Sequence, residues 1–130
     1  MHGAVRPLLL VGSALLLLTG CSSSQRPEVE DVATTFENPS EDPQARCALL
    51  APSTLAALEE EASAPCEEAI GELPLEGGAV SGVEIWGGDA QVRLDGDTVF
   101  LAETSAGWRV VAAACTPRPE RPYDCEVEGP

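Results

Sequence analysis

The stretch Val83 to Glu103, VEIWGGDAQVRLDGDTVFLAE, decides the architecture. In it Val83 and Ile85 flank Glu84, then Ala90, Val92 and Leu94 alternate with Asp89, Gln91 and Arg93, and Val99 and Leu101 oppose Thr98 and Phe100. A period of two leaves one face of each run apolar, which is the pattern of a half-buried strand. Gly87-Gly88 and Asp95-Gly96 stand between the runs, and such dipeptides accept the positive φ of tight hairpin turns. Consecutive strands are therefore antiparallel. Downstream, Ala106-Gly107 turns the chain into Trp108–Cys115, with Trp108, Val110, Ala112 and Ala114 expected on one side. Thr116 to Pro122, rich in Pro and Arg, reads as a loop that leads to a short last segment, Tyr123 to Val127.

Upstream of this meander the period changes to that of helices. Pro27 suits a first helical turn, and Val29, Val32, Ala33 and Phe36 follow at i, i+3, i+4 and i+7, on one face. Asn38-Pro39-Ser40 stops that helix. Asp42-Pro43 reads as an N-cap followed by Pro, opening a helix that reaches Leu50. Pro52-Ser53 opens another, carrying Leu55 and Leu58, with the Glu59-Glu60-Glu61 run facing water; Pro65 ends it before a short turn at Cys66 to Ile70. Helices followed by strands mean an α+β fold: N-terminal amphipathic helices packed on an antiparallel meander of four to five strands.

The N-terminal segment reads as an address. Residues 1–20 combine Arg6, an apolar run of about a dozen residues and the small pair Thr19-Gly20, which is the form of a secretory signal peptide and too short for the roughly 20 residues that span a bilayer. Leu18-Thr19-Gly20-Cys21 resembles the lipobox of bacterial lipoproteins, in which the cysteine sulfur receives diacylglycerol and becomes the new N-terminus. The resemblance implies a lipid anchor at Cys21, with acyl chains of the palmitate kind, and a chain held on the extracytoplasmic face of a cell membrane. Residues 21–27 then serve as a flexible tether and 28–130 as the single domain.

Charge and cysteines narrow the partners. A formal net charge of −15 excludes nucleic-acid binding, which needs basic stripes, and opposes anionic lipid headgroups. It suits a basic exported protein as partner. With Cys21 acylated, four of the five cysteines remain, Cys47, Cys66, Cys115 and Cys125, in a chain sent to an oxidising compartment. Four cysteines allow three connectivities, which sequence does not decide. The sequence-local pairs, Cys47 with Cys66 and Cys115 with Cys125, are expected because each would tie neighbouring elements. No C-x₂₋₄-C spacing suggests zinc, and the EF-hand ligand series is missing around Asp95-Gly96-Asp97, so that triplet reads as a hairpin turn and no metal or cofactor is expected.

The succession CALLAPSTLAALEEEASAPCEEAIGELP, VEIWGGDAQVRL, DTVFLAE, GWRVVAAACTP and YDCEVEG resembles a group of small actinobacterial lipoproteins. Over Glu28 to Glu128 its order of elements is similar to the nuclear-transport-factor-2-like cone fold, in which helices cover a strongly bent sheet. The resemblance implies no catalytic residues here. Enzymes on that cone rely on Asp, His or Tyr in the cavity, whereas the one histidine, His2, leaves with the signal and the one tyrosine, Tyr123, lies in the tail. Nucleophilic triads also need a base, usually His, and the many carboxylates single out no pair. The expected function is a non-catalytic, membrane-anchored docking or accessory module. The alternative is a carrier or sensor holding a small apolar ligand in the concave sheet face, with Trp86, Phe100 and Trp108 as candidate lining.

Overall fold

The computed structural model describes residues 3–4 and 22–130; the signal reading, apart from Gly3 and Ala4, and the acylation site at Cys21 lie outside the described residues. Among the described residues five helical elements come first: α1 (Ser22–Glu37), α2 (Pro43–Cys47), α3 (Pro52–Ala62), α4 (Cys66–Ala69) and a 3₁₀ turn (Ile70–Glu72). Five strands follow, β1 (Val80–Trp86), β2 (Asp89–Leu94), β3 (Thr98–Thr104), β4 (Gly107–Arg118) and β5 (Arg121–Glu128), in a single antiparallel sheet of order β1-β2-β3-β4-β5. The fold is α+β.

Local chemistry sets the helix limits. In α1, Val29, Val32, Ala33 and Phe36 are all buried, as their spacing predicts. The helix starts ahead of Pro27, however, and takes in the polar residues read as tether; Pro27 lies within it, where its missing N–H costs the bond toward Ser23. Asn38 closes α1, its Oδ1 accepting from the Ser40 N–H at 2.9 Å. Asp42 caps α2 by accepting from the Gln44 N–H at 3.1 Å, and Pro43 occupies the first position. Glu59 departs from the water-facing reading of its acidic run: its Oε2 accepts from the Cys66 N–H at 3.0 Å and so fastens the start of α4.

Two features of the sheet were not foreseen. Thr116 to Pro122 is mostly paired strand, with Arg118 opposite Arg121 and a turn at Pro119-Glu120 between them. Pro117 falls in the register shift between Thr116 and Arg118, a bulge where a missing N–H disturbs no ladder bond. The second feature is a bulge at Val111, since Leu101 pairs with Val110 but Phe100 with Ala112. An inserted residue reverses which side chains face inward. Trp108 and Val110 are buried as expected, but beyond the bulge Ala113 is fully buried, while Ala114 is half-buried and adopts φ 54°.

The core joins both layers. Phe36 from α1, Ile70, and Trp108, Val110, Val99 and Leu101 from the sheet are essentially inaccessible to solvent. Helix α1 touches β1 through β4, and α3 touches β4 and β5. Between α2 and α3, the chain runs along β4: Ala51 N–H donates to Val110 O at 2.9 Å and Val110 N–H to Leu49 O at 2.8 Å. Strand β5 pairs with β4 only from Ala112 onward, so Leu49–Ala51 continues the sheet where β5 has ended.

Both sequence-local disulfides are present. Cys47–Cys66 links α2 to α4, and Cys115–Cys125 joins residues directly opposite on β4 and β5. Closing loops of 19 and 10 residues contributes on the order of 3 kcal/mol each by restricting the unfolded chain.

Candidate functional site

The three aromatic residues proposed for one ligand pocket occupy three different surroundings. Trp108 is 1 % exposed and belongs to the core. Trp86, at the end of β1, is 50 % exposed. Phe100 on β3 is half-buried and meets Tyr123 of β5 edge to face, with ring centroids 5.1 Å apart. The structure therefore brings Phe100 together with Tyr123, not with either tryptophan.

That ring pair opens onto a surface cleft of about 540 Å³. Val111, Ala112 and Pro122 extend its apolar wall, and Ser53, Thr54 and Glu128 supply polar groups at its edge. Thr54 is already engaged, its hydroxyl donating to the Val111 carbonyl freed by the bulge, at 3.2 Å. A second, larger depression of about 910 Å³ lies where α3, α4 and the 3₁₀ turn face β5. Its floor includes Leu58, Ala69 and Leu73, and five carboxylates ring it: Glu61, Glu68, Glu72, Glu126 and Glu128. The two depressions share Cys125 and Glu128, so they adjoin at β5.

A different arrangement of acids is enclosed at the end of α1. Glu37 is 1 % exposed, and its Oε2 accepts from the Gly77 N–H at 3.3 Å. Gly77 has φ 57°, and a Cβ there would come within 3.1 Å of Glu37 Cβ, so the loop needs glycine to approach the acid. Asp97 beside it is 8 % exposed. Asp97 Oδ1 accepts from the Thr98 and Cys115 N–H groups at 2.7 and 2.9 Å, and Oδ2 from the Ala114 N–H at 2.7 Å. These bonds hold the kink in β4 at Ala114.

Burial pushes the Glu37 carboxyl from its ordinary 4.5 up to about 9, and the adjacent Asp97 adds to the rise; the Gly77 N–H and Arg46 oppose it without prevailing. Near neutral pH Glu37 is thus the acid. As a carboxylate, its Oε1 would be buried with no donor. As the acid it donates its proton to Asp97, which satisfies both groups. Arg46, 4 % exposed, donates through Nε to Phe36 O at 2.7 Å, and burial lowers its pKa while Glu37 works the other way.

Sequence reasoning passed over this pair. The available signal was Glu37 itself, four residues beyond Ala33 on the apolar stripe of α1. Asp97 had none: the hairpin reading of its triplet holds for the backbone, since Leu94 N–H donates to Asp97 O at 2.8 Å, but the side chain turns inward. Among the described residues no group of His, Cys, Asp and Glu is arranged to hold a metal ion, and no helix is long and apolar enough to cross a membrane. No family model, curated protein or solved structure matches the chain.

Proposed function

We propose that the chain is a non-catalytic accessory module, anchored by lipid at Cys21 to the extracytoplasmic face of a cell membrane, that docks another protein through the Phe100–Tyr123 cleft. The observation that carries this reading is the position of open apolar surface. The space between helices and sheet is filled by Trp108, Phe36 and Ile70, each no more than 1 % exposed, whereas the accessible apolar lining lies at the rim, beside β5. A carrier would keep its void inside; a docking module keeps its apolar contacts outside. Glu37, the carboxyl with the largest shift, is enclosed and committed to Asp97, so it serves the fold rather than an open cleft. The cone-like architecture suggested by the order of elements belongs to this same reading, with the helices as its cover and β5 at its rim.

The test is capture from detergent-solubilised membranes by the acylated chain and by its Phe100→Asp variant. A protein retained by the first and lost by the second supports docking through this cleft. Stoichiometric uptake of an apolar fluorophore, abolished by the same substitution and with no protein retained, would favour the carrier instead.

A further inference from the structure

We infer that the free edge of β5, with the acidic groove beside it, is a strand-addition site for an extended peptide segment whose basic side chains flank an apolar one; this rests on the docking reading and names the partner's chemistry. Strand β5 is the last of the sheet and pairs with β4 on one side only. Among the described residues no backbone group of another element bonds to its outer edge. An open strand edge is a row of unpaired donors and acceptors, and an added strand satisfies them about 4.8 Å away.

Acidic residues on an edge strand also serve to repel unwanted strands. That role accounts for Asp124, Glu126 and Glu128 on β5 but not for the opposite wall, where α3, α4 and the 3₁₀ turn place Glu61, Glu68 and Glu72 toward the same depression. The wall is fixed in place, since α4 is tied to α2 by Cys47–Cys66 and its first N–H is held by Glu59. A strand lying in this groove has carboxylates on both sides and the apolar floor of Leu58, Ala69 and Leu73 beneath. Alternating side chains of an extended segment meet these two demands: one face apolar and inward, the flanking positions basic. From Asp124 to Glu128 the edge measures about 13 Å, which accommodates about five residues of partner. A second copy of this chain is the wrong occupant, because pairing two β5 edges would set like charges against one another, at a cost of the same order as favourable cross-strand pairs gain.

The probe is a labelled heptapeptide alternating Arg with Val, followed by fluorescence anisotropy against the full acylated chain in neutral detergent. Two control peptides accompany it, one with Glu in place of each Arg and one with the Arg sequence N-methylated at alternate backbone positions. The expected result is binding that weakens as salt rises, at least tenfold weaker binding for the N-methylated peptide, and none for the Glu peptide. Glu126→Lys should reduce affinity about tenfold, whereas Glu41→Lys, an equal change of charge on an exposed residue remote from β5, should change it less than twofold. Equal binding of the methylated and unmethylated peptides, or equal losses from the two variants, would leave only diffuse attraction to an acidic surface and overturn the proposal. So would a dimer in sedimentation that Glu126→Lys strengthens. Failure here with retained sensitivity of membrane capture to Phe100→Asp removes the groove but leaves the docking reading; loss of both removes the reading itself.

Discussion

Two groups of acids, at the end of α1 and along β5, share side-chain chemistry and share almost nothing else. Glu37 and Asp97 are enclosed, and between them they take four backbone N–H groups and one shared proton. Glu61, Glu68, Glu72, Glu126 and Glu128 stand around an open groove. The difference lies in what the backbone offers. Where the chain bends sharply, at the Gly77 loop and the Ala114 kink, amide donors are left without ladder partners, and a buried carboxyl satisfies them. Where the strand is regular and simply ends the sheet, the acids meet water and become a charged surface.

Asp97→Ala should break this contrast most forcefully. It leaves three N–H groups of the β3 and β4 backbone without their acceptor and Glu37 without its partner. Urea denaturation with the disulfides intact should show a loss of about 4 kcal/mol, since each stranded buried group costs about 1–3 kcal/mol. A loss below about 1 kcal/mol would mean that water replaces the carboxylate freely and that the pair is no structural joint.

Next in size is the pH dependence that Glu37 imposes. Its pKa is about 9 in the folded chain against 4.5 ordinarily, so between these values the folded state holds a proton that the unfolded state releases. Stability from this group is complete below about pH 4.5, falls as pH rises, and levels off above about pH 9. The other charged groups around it are Asp97, Arg46 and, in the adjoining loop, Glu76. Glu37→Gln keeps a donor for Asp97 and an acceptor for Gly77 but does not titrate. The wild-type chain should therefore lose stability relative to this variant as pH rises from 6 to 8, with a slope approaching about 1.4 kcal/mol per pH unit. Parallel stability–pH curves for the two proteins would show that Glu37 titrates normally.

The smallest effect belongs to the groove. Glu126→Gln touches no hydrogen bond that the fold uses, and its unfolding free energy should lie within about 0.5 kcal/mol of wild type. A large loss in thermal or urea unfolding would make Glu126 a structural residue and weaken the case for a surface kept open for a partner.

How much of this was legible follows from the range of the forces involved. The strands were readable because alternation and turn dipeptides act between neighbours, as Val83 to Glu103 shows. The helix faces were readable for the same reason, and both disulfides join cysteines only 19 and 10 residues apart in sequence. The Val111 bulge was not readable, because its stabilising partners come from Thr54 and Gly129, one far upstream and the other near the end of the chain. The same holds for Asp97, whose role depends on a kink 17 and 18 residues downstream. Prolines misled at Thr116 to Pro122, where the bulge and the edge position tolerate them. For the candidate site, the alternation points to Phe100 as lining, but its actual companion, Tyr123, lies in the tail segment, where nothing local signals the contact. The groove arises only when β5 comes to lie opposite α3 and α4.

The segment Leu49–Ala51, fastened to Val110, also bears on how the molecule comes together. Helices are local structures that form within about a microsecond, but this one stretch completes its bonding only when a strand from the far half arrives, across a separation like the 57 residues between Thr54 and Val111. Contacts of such range slow folding, because a long loop must close before they reward it. The helical half therefore completes its backbone bonding only together with the sheet. Loosening either half should release the other, so the chain melts in one cooperative step.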